Sequence, residues 1–231
     1  MTSTPGRPGW PLLTGFALLA SPALLTSGSL IQPDVDGSAV EQLATIDDAL
    51  ARWRISWVLV LLGATLAIPA ALQIARLVQK PGEVSTLAGV IVTSLGAVAL
   101  VCHAATKGMH GSQLAVDARD AALAPGAAES YDGLTHGILR FPVYGAETMA
   151  IGFIVLGVCL LARGPQPRFA GIVIAAGAAV VTAGIFVAIP WIAGAGAVVL
   201  LAGAVPFAFP RRQSAPRGPE GPAPTLGGPI P

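Results

Sequence analysis

CHAATKGMHGSQLAVDARDAALAPGAAESYDGLTHGILRFPVYGAE, residues 102–147, is the polar stretch that interrupts this otherwise apolar chain. One apolar segment ends at the beginning of this stretch, and another apolar segment starts before the stretch ends. The stretch therefore connects two hydrophobic segments. All three histidines of the chain lie in it, at His103, His110 and His136. Glu147 lies inside the second apolar run, where an ionisable side chain is costly and usually faces a partner or water. The stretch therefore separates two membrane segments and contains the strongest candidates for a functional site.

The composition of the whole chain indicates a membrane protein. Of its 231 residues, 54% are hydrophobic and 11% are charged, whereas ordinary soluble domains carry roughly 25% charged residues. The mean hydropathy is +0.72. A soluble chain of this size could not bury so much apolar surface in one core. The lipid bilayer is the expected partner, and a net charge of +1 gives no indication of a nucleic-acid partner.

The apolar segments predict an all-α membrane protein with six transmembrane helices. Each segment is long enough to cross most or all of a hydrocarbon core about 30 Å thick. A cleaved signal peptide is the alternative for the first segment, but the apolar run is long for one and no clear cleavage site follows it. We expect a flexible tail at 1–9 and a disordered tail rich in Pro and Gly at 210–231. The predicted spans are about 10–31, 55–77, 85–105, 142–162, 169–189 and 191–209.

Small residues recur every four positions in the fifth predicted span, at Gly171, Ala175, Ala179 and Ala183. Such a stripe lets two helix backbones approach closely in lipid. We predict that it packs against another helix of the same chain, with a dedicated dimerisation face as the alternative.

The first connection, 32–54, is polar and acidic and predicts a short amphipathic helix. Ser38 and Glu41 have the spacing of a capping box, in which a hydroxyl and a carboxylate satisfy free backbone amides. Apolar residues then recur at helical spacing up to Trp53 and Trp57. We expect this helix to lie on the membrane surface, with both tryptophans at the headgroup level. A partner-binding helix is the alternative.

The distribution of Lys and Arg predicts the orientation. Eight of them lie on the side that would hold both termini, and five lie in the two long connections, 32–54 and 106–141. The excess of positive charge marks the cytoplasmic side of a membrane protein. Both termini are therefore predicted in the cytoplasm, with the chain in the plasma membrane and the two long connections outside the cell.

This orientation makes His103 and Glu147 the sharpest site hypothesis. They would lie at similar depth near the outer ends of the third and fourth spans, where the pair could relay protons or bind a cation or a polar group. The alternative is that Glu147 reaches the membrane interface or bonds to a nearby backbone. His110, His136, Asp117 and Asp120 are weaker candidates, which solvated loop positions explain equally well. Because their spacing does not match known ligand motifs, neither a metal site nor a cofactor is predicted.

The Gly-rich first span, the acidic connection, the Pro-kinked spans and the Arg-bounded inner turns together resemble the uncharacterised multi-pass membrane proteins that are common in GC-rich bacteria. The resemblance covers residues 10–209, rests on hydropathy and composition, and implies no activity. Three functions stay open. They are a small transporter or channel-like protein with an outward-facing Glu/His site, an accessory subunit that binds another membrane protein or a second copy, and an enzyme acting on a lipid or isoprenoid-like substrate.

Overall fold

The structure is a computed structural model that describes residues 10–78, 83–136, 144–164, 168–186 and 190–208. The two tails predicted at 1–9 and 210–231 lie outside the described residues. Within the described ranges the chain is helical and contains no strand, which confirms the all-α prediction. The helices are α1 (Trp10–Ile31), α2 (Ala39–Asp48), α3 (Leu50–Leu77), α4 (Val84–Ala105), α5 (Gly111–Asp117), α6 (Ala124–His136), α7 (Gly145–Arg163), α8 (Phe169–Phe186) and α9 (Pro190–Ala208).

Six of these helices, α1, α3, α4, α7, α8 and α9, form a closed ring in chain order. Each packs against the next one along the chain, α9 packs against α1, and α3 also touches α7 across the ring. Neighbours run antiparallel: Gly63 of α3 lies against Leu25 of α1, whereas Gly28 further along α1 lies against Val60 earlier in α3. Gly15 near the start of α1 lies against Ala208 at the end of α9. The ring therefore begins and finishes at the same end.

The length and surface of these helices indicate a membrane location. Leu50–Leu77, Val84–Asp117 and Gly145–Arg163 are long and apolar enough to cross a membrane, while the apolar stretches Gly15–Ile31, Phe169–Gly184 and Ile192–Ala208 are shorter. The outward face of α4 carries exposed apolar side chains along its length, at Val84, which is 81% exposed, Leu87, Ile91, Leu95 and Val98. In water such a surface would favour aggregation, but in lipid it matches the solvent.

Glycines set the spacing between ring helices. A methyl group added to Gly152 of α7 would collide with Thr93 of α4, and one added to Gly157 of α7 would lie 2.8 Å from the backbone nitrogen of Ala175 in α8. The predicted stripe of α8 thus packs against α7 at Gly171 and Ala175. Its other two members, Ala179 and Ala183, are exposed.

The helices α2, α5 and α6 form a small cap on one end of the ring, here called the capped end. The predicted capping box is present: Ser38 N–H donates to Glu41 Oε2 at 2.7 Å, and the Ser38 side chain accepts from the Glu41 amide. Helix α2 packs against α5 and α6, and its predicted position on the membrane surface stays a prediction. Its apolar side chains Leu43 and Ile46 are buried in the core of the cap.

An ion pair joins the two long connections across the cap. Arg119 Nε donates to both carboxylate oxygens of Asp47 at 2.9 Å, and a terminal nitrogen of the guanidinium lies 2.7 Å from one of them. The Arg119 hydrogen bond lowers the pKa of Asp47 from its ordinary value. Because both side chains reach solvent, the pair fixes the geometry of the cap more than its stability.

In the middle of the second connection, the Pro125-Gly126 dipeptide lies inside a helix. Helix α5 ends at Asp117, and Pro125 and Gly126 lie in the first turn of α6. Proline is well tolerated there because the first turn of a helix has no use for its missing amide. The dipeptide therefore begins a helix.

Candidate functional site

Helix α4 passes into α5 through a π-helical turn, Thr106–His110, which lies against the start of α3. Gly108 in this turn allows the approach, since a methyl group there would lie 2.6 Å from Trp57 Cβ. Trp53 Nε1 donates to the carbonyl oxygen of Lys107 at 3.3 Å. Turns of this kind occur often at functional positions, and this one brings the polar stretch down onto the ring.

Trp53 and Trp57 are buried within the protein, and their predicted depth at the headgroup level stays a prediction. Trp53 is 1% exposed because the cap covers it. The two rings meet edge to face at a centroid distance of 5.5 Å, and Trp57 meets His103 in the same way at 5.4 Å. Edge-to-face contacts of this kind fix ring orientation. The half-buried His103 imidazole is therefore held in place by an aromatic series that begins under the cap.

His103 lines a cavity of about 280 Å³ inside the ring, here called the central chamber. Ser29 is exposed and lies beside Gln32 at the capped end of α1, so the chamber opens at that end. The polar side chains that line the chamber all lie at the capped end. They are Thr26, Ser29, Gln32 and His103, with the Trp57 indole beside them, and the other lining residues are Leu25, Val60, Leu100, Ala146, Met149, Val181, Ala193, Gly194 and Ala197.

A second, smaller cavity of about 60 Å³ continues the chamber away from the capped end, and we call it the apolar extension. The two cavities share Leu25, Met149, Val181 and Ala197 as lining residues. The Ser21 hydroxyl in its wall donates to the Gly63 carbonyl oxygen at 2.8 Å and is satisfied. Its other lining residues are apolar: Leu18, Pro22, Ala70, Ile74, Ala150, Phe153, Ile174, Ala178, Leu200 and Ala204.

A scan against protein-family models, a search of curated proteins and a search of solved structures found no match.

Glu147, the other residue of the predicted pair, is buried but does not line the central chamber. It occupies the first turn of α7, where the free amides and the helix dipole favour a carboxylate. Its Oε2 has no hydrogen-bond partner among the described residues. Gly145 and Met149 pack on α4, and Glu147, two residues from each, falls on the other side of α7.

Within the described part of the chain, no hydrogen bond or ion pair links Glu147 to His103, and Glu147 does not line the central chamber. A shared role for the two residues stays a prediction, with no contact in its support.

The weaker candidates that the structure describes are solvent-exposed or form local hydrogen bonds within their own helix or turn. His110 is exposed. Asp117 accepts from Gln113 Nε2 at 3.0 Å, and Asp120 Oδ1 accepts from the Ala122 amide at 2.9 Å, so each carboxylate supports its own helix or turn. The side chain of His136 lies outside the described part. No group of three metal-ligating side chains occurs among the described residues.

Lys107, one of the five Lys and Arg residues in the two long connections, is buried. It is 8% exposed, and its Nζ lies 4.5 Å from the centre of the Tyr131 ring, at a distance suited to a cation–π contact. Burial raises the pKa of Tyr131 to about 12. A helical period carried on from Leu100 and Ala104 places Lys107 on the continuation of the inner face of α4, and this periodicity is the signal that could have identified it.

Proposed function

We propose that this chain is a six-span plasma-membrane protein, with both termini in the cytoplasm, that binds a small amphipathic molecule in the central chamber and acts as a transporter or carrier for it. The orientation is supported by the eight Lys and Arg residues on one side against five on the other. With that orientation the capped end lies outside the cell, and the chamber opens outward.

The observation that carries the proposal is the division of the cavity into a polar mouth and an apolar interior. At the mouth, the Gln32 amide and the His103 imidazole offer donors and acceptors to a polar group. The Thr26 and Ser29 hydroxyls donate to carbonyl oxygens of α1 and can still accept a hydrogen bond. Below them the lining is aliphatic and aromatic, apart from the satisfied Ser21. Small-molecule sites combine mostly apolar walls with a few convergent polar groups in this way. The matching ligand has one polar end and a short hydrocarbon chain.

The same lining argues against a path for ions or protons through the described part of the ring. The apolar extension presents no ionisable side chain, and a charge in apolar surroundings is costly. The enzyme alternative has less support, since Glu147 is not a lining residue of the chamber. The accessory-subunit alternative predicts that the chamber can be filled without consequence.

Filling the chamber at Gly194 is expected to abolish binding. The nearest atoms to a methyl group at this position are 3.8 Å and 3.9 Å away, on Leu30 and Thr26, so a leucine side chain can enter the chamber without striking backbone. Gly194→Leu should weaken binding of decanoic acid, used as a probe, at least tenfold, because tenfold corresponds to excluding about two methylene groups. Native mass spectrometry of the purified chain counts the bound probe.

Two controls belong to this experiment. Gly194→Ala tests for a backbone effect of replacing glycine and should bind as the wild type does. Glu147→Gln removes the other candidate charge and should leave binding within twofold, because Glu147 is outside the chamber. Equal binding by wild type and Gly194→Leu would refute the proposal, and a loss of binding in Glu147→Gln alone would move the site to Glu147.

A further inference from the structure

A third cavity opens on the outside of the ring, between α3 and the segment that runs from α4 into α5. It has a volume of about 400 Å³, and we call it the side crevice. Arg54 and Gln113 lie at its end nearer the cap, and Val58, Leu61, Ala105 and Met109 line it further along. Arg54 and Leu61 are seven positions apart on α3, so their backbones are about 10 Å apart along the helix axis.

The guanidinium at this crevice has no partner within the described chain. Arg54 is exposed, and no hydrogen bond or ion pair joins its side chain to another described residue. Its neighbours on the same end of the molecule differ: Arg52 Nε donates to the Ile31 carbonyl oxygen at 2.9 Å, and Arg119 pairs with Asp47. Arg54 is therefore a cation held at the mouth of an apolar crevice without an anion.

Trp57 provides a second, independent feature of the crevice. Its side chain is buried, yet Nε1 has no hydrogen-bond acceptor among the described residues. A methyl group on Gly108, which lines the crevice, would lie 3.6 Å from Trp57 Cδ1, the carbon bonded to Nε1. Trp57 lines both the side crevice and the central chamber, so its indole leaves a buried donor unused beside the crevice, and buried donors are rarely left without an acceptor.

We propose that the side crevice binds an anionic phospholipid of the outer leaflet, with Arg54 on the phosphate and one acyl chain along Val58, Leu61 and Met109. The planar guanidinium donates two parallel hydrogen bonds to a phosphate. Val58 is 55% exposed and Met109 75% exposed, and both suit contact with an acyl chain. The proposal rests on the ring lying in a bilayer as proposed above, but it does not need a ligand in the central chamber.

The test titrates phosphatidylglycerol onto the purified full chain in neutral detergent and counts bound lipid by native mass spectrometry. Arg54→Gln should weaken binding about fivefold, the effect of one basic residue near an anionic lipid surface. Arg52→Gln is the matched control, because it removes the same charge two residues away from Arg54. The Arg52 side chain is hydrogen-bonded to α1, so this variant should change the affinity for the lipid less than twofold. Ala105→Leu narrows the crevice with the charge intact and should also weaken binding.

Equal losses in Arg54→Gln and Arg52→Gln would overturn the proposal, because they would indicate a general attraction of anionic lipid to the capped end. Competition by inorganic phosphate as strong as that by the lipid would also overturn it, since the acyl chain would then contribute nothing. Unchanged lipid binding in Gly194→Leu would show that the side crevice and the central chamber are separate sites. Loss of lipid binding in that variant would place the lipid in the chamber instead and would refute the crevice.

Discussion

Gly96→Leu is expected to prevent the ring from assembling. A methyl group at Gly96 of α4 would overlap the Met149 backbone nitrogen and lie 2.7 Å from the Gly145 carbonyl oxygen. These are backbone atoms of α7, so no side-chain rotation relieves the overlap. Helix α7 must move away, and the close contacts at Gly145 and Gly152 on the same face are then lost as well. Contacts of this kind hold helices together where the surrounding lipid gives no hydrophobic driving force.

The expected losses of stability distinguish a tight helix contact at Gly96 from a general sensitivity of the protein to replacement of glycine. Gly96→Ala should lower the stability by about 1–3 kcal/mol, the usual cost of overpacking, and Gly96→Leu should give no monodisperse protein on size-exclusion chromatography after extraction in mild detergent. Gly194→Ala is the matched control on α9, where the nearest atoms are 3.8 Å away. A thermal midpoint for Gly96→Leu equal to that of wild type would show that α4 and α7 do not pack as described.

Trp53→Ala is expected to detach the cap from the ring. Trp53 is buried at the start of α3, contacts Trp57 and bonds to the π-helical turn. A methyl group placed on Gly111 would lie 3.6 Å from the Trp53 ring and 3.7 Å from the Tyr131 ring, so the indole lies where α5 and α6 meet. Removing a buried tryptophan side chain costs about 3–5 kcal/mol. Most of that loss should fall on the cap, because its own core is small.

Hydrogen–deuterium exchange measures this effect segment by segment. Trp53→Ala should speed amide exchange in 39–48 and 111–134 and leave the centre of α7 unchanged. Trp53→Phe keeps most of the apolar contact and loses the hydrogen bond to Lys107, so it should cost only about 1 kcal/mol. Uniformly faster exchange throughout the chain in Trp53→Ala would contradict a separate role for the cap.

The helices of the ring were predictable because each is a continuous apolar run bounded by polar or Pro/Gly-rich residues. Hydropathy detects such runs without knowledge of the tertiary structure. Helix α3 starts at Leu50, whereas the predicted span starts at 55. Hydropathy does not detect this first turn, because Arg52 and Arg54 are helical but polar. The capping box at Ser38 was also readable, because it depends only on residues three apart.

The contacts that could not be predicted lie where distant parts of the chain meet. A single sequence does not show that α5 and α6 cover the apolar face of α2 and the Trp53 indole. The burial of Lys107 is a further example, because it depends on a tertiary contact with Tyr131. His103 was identified from its place at a helix end, but its surroundings, the chamber and the aromatic series, depend on the ring as a whole.

The central claim is that the chamber opens outward and binds an amphipathic molecule, and labelling of Ser29→Cys tests it most directly. Ser29 is exposed at the mouth of the chamber. The native thiols, exposed Cys102 and buried Cys159, are first replaced by serine and alanine. A membrane-impermeant maleimide should label Ser29→Cys in sealed right-side-out vesicles, and decanoic acid should slow the labelling several-fold. Labelling only in inverted vesicles, or at a rate that decanoic acid does not change, would contradict the account.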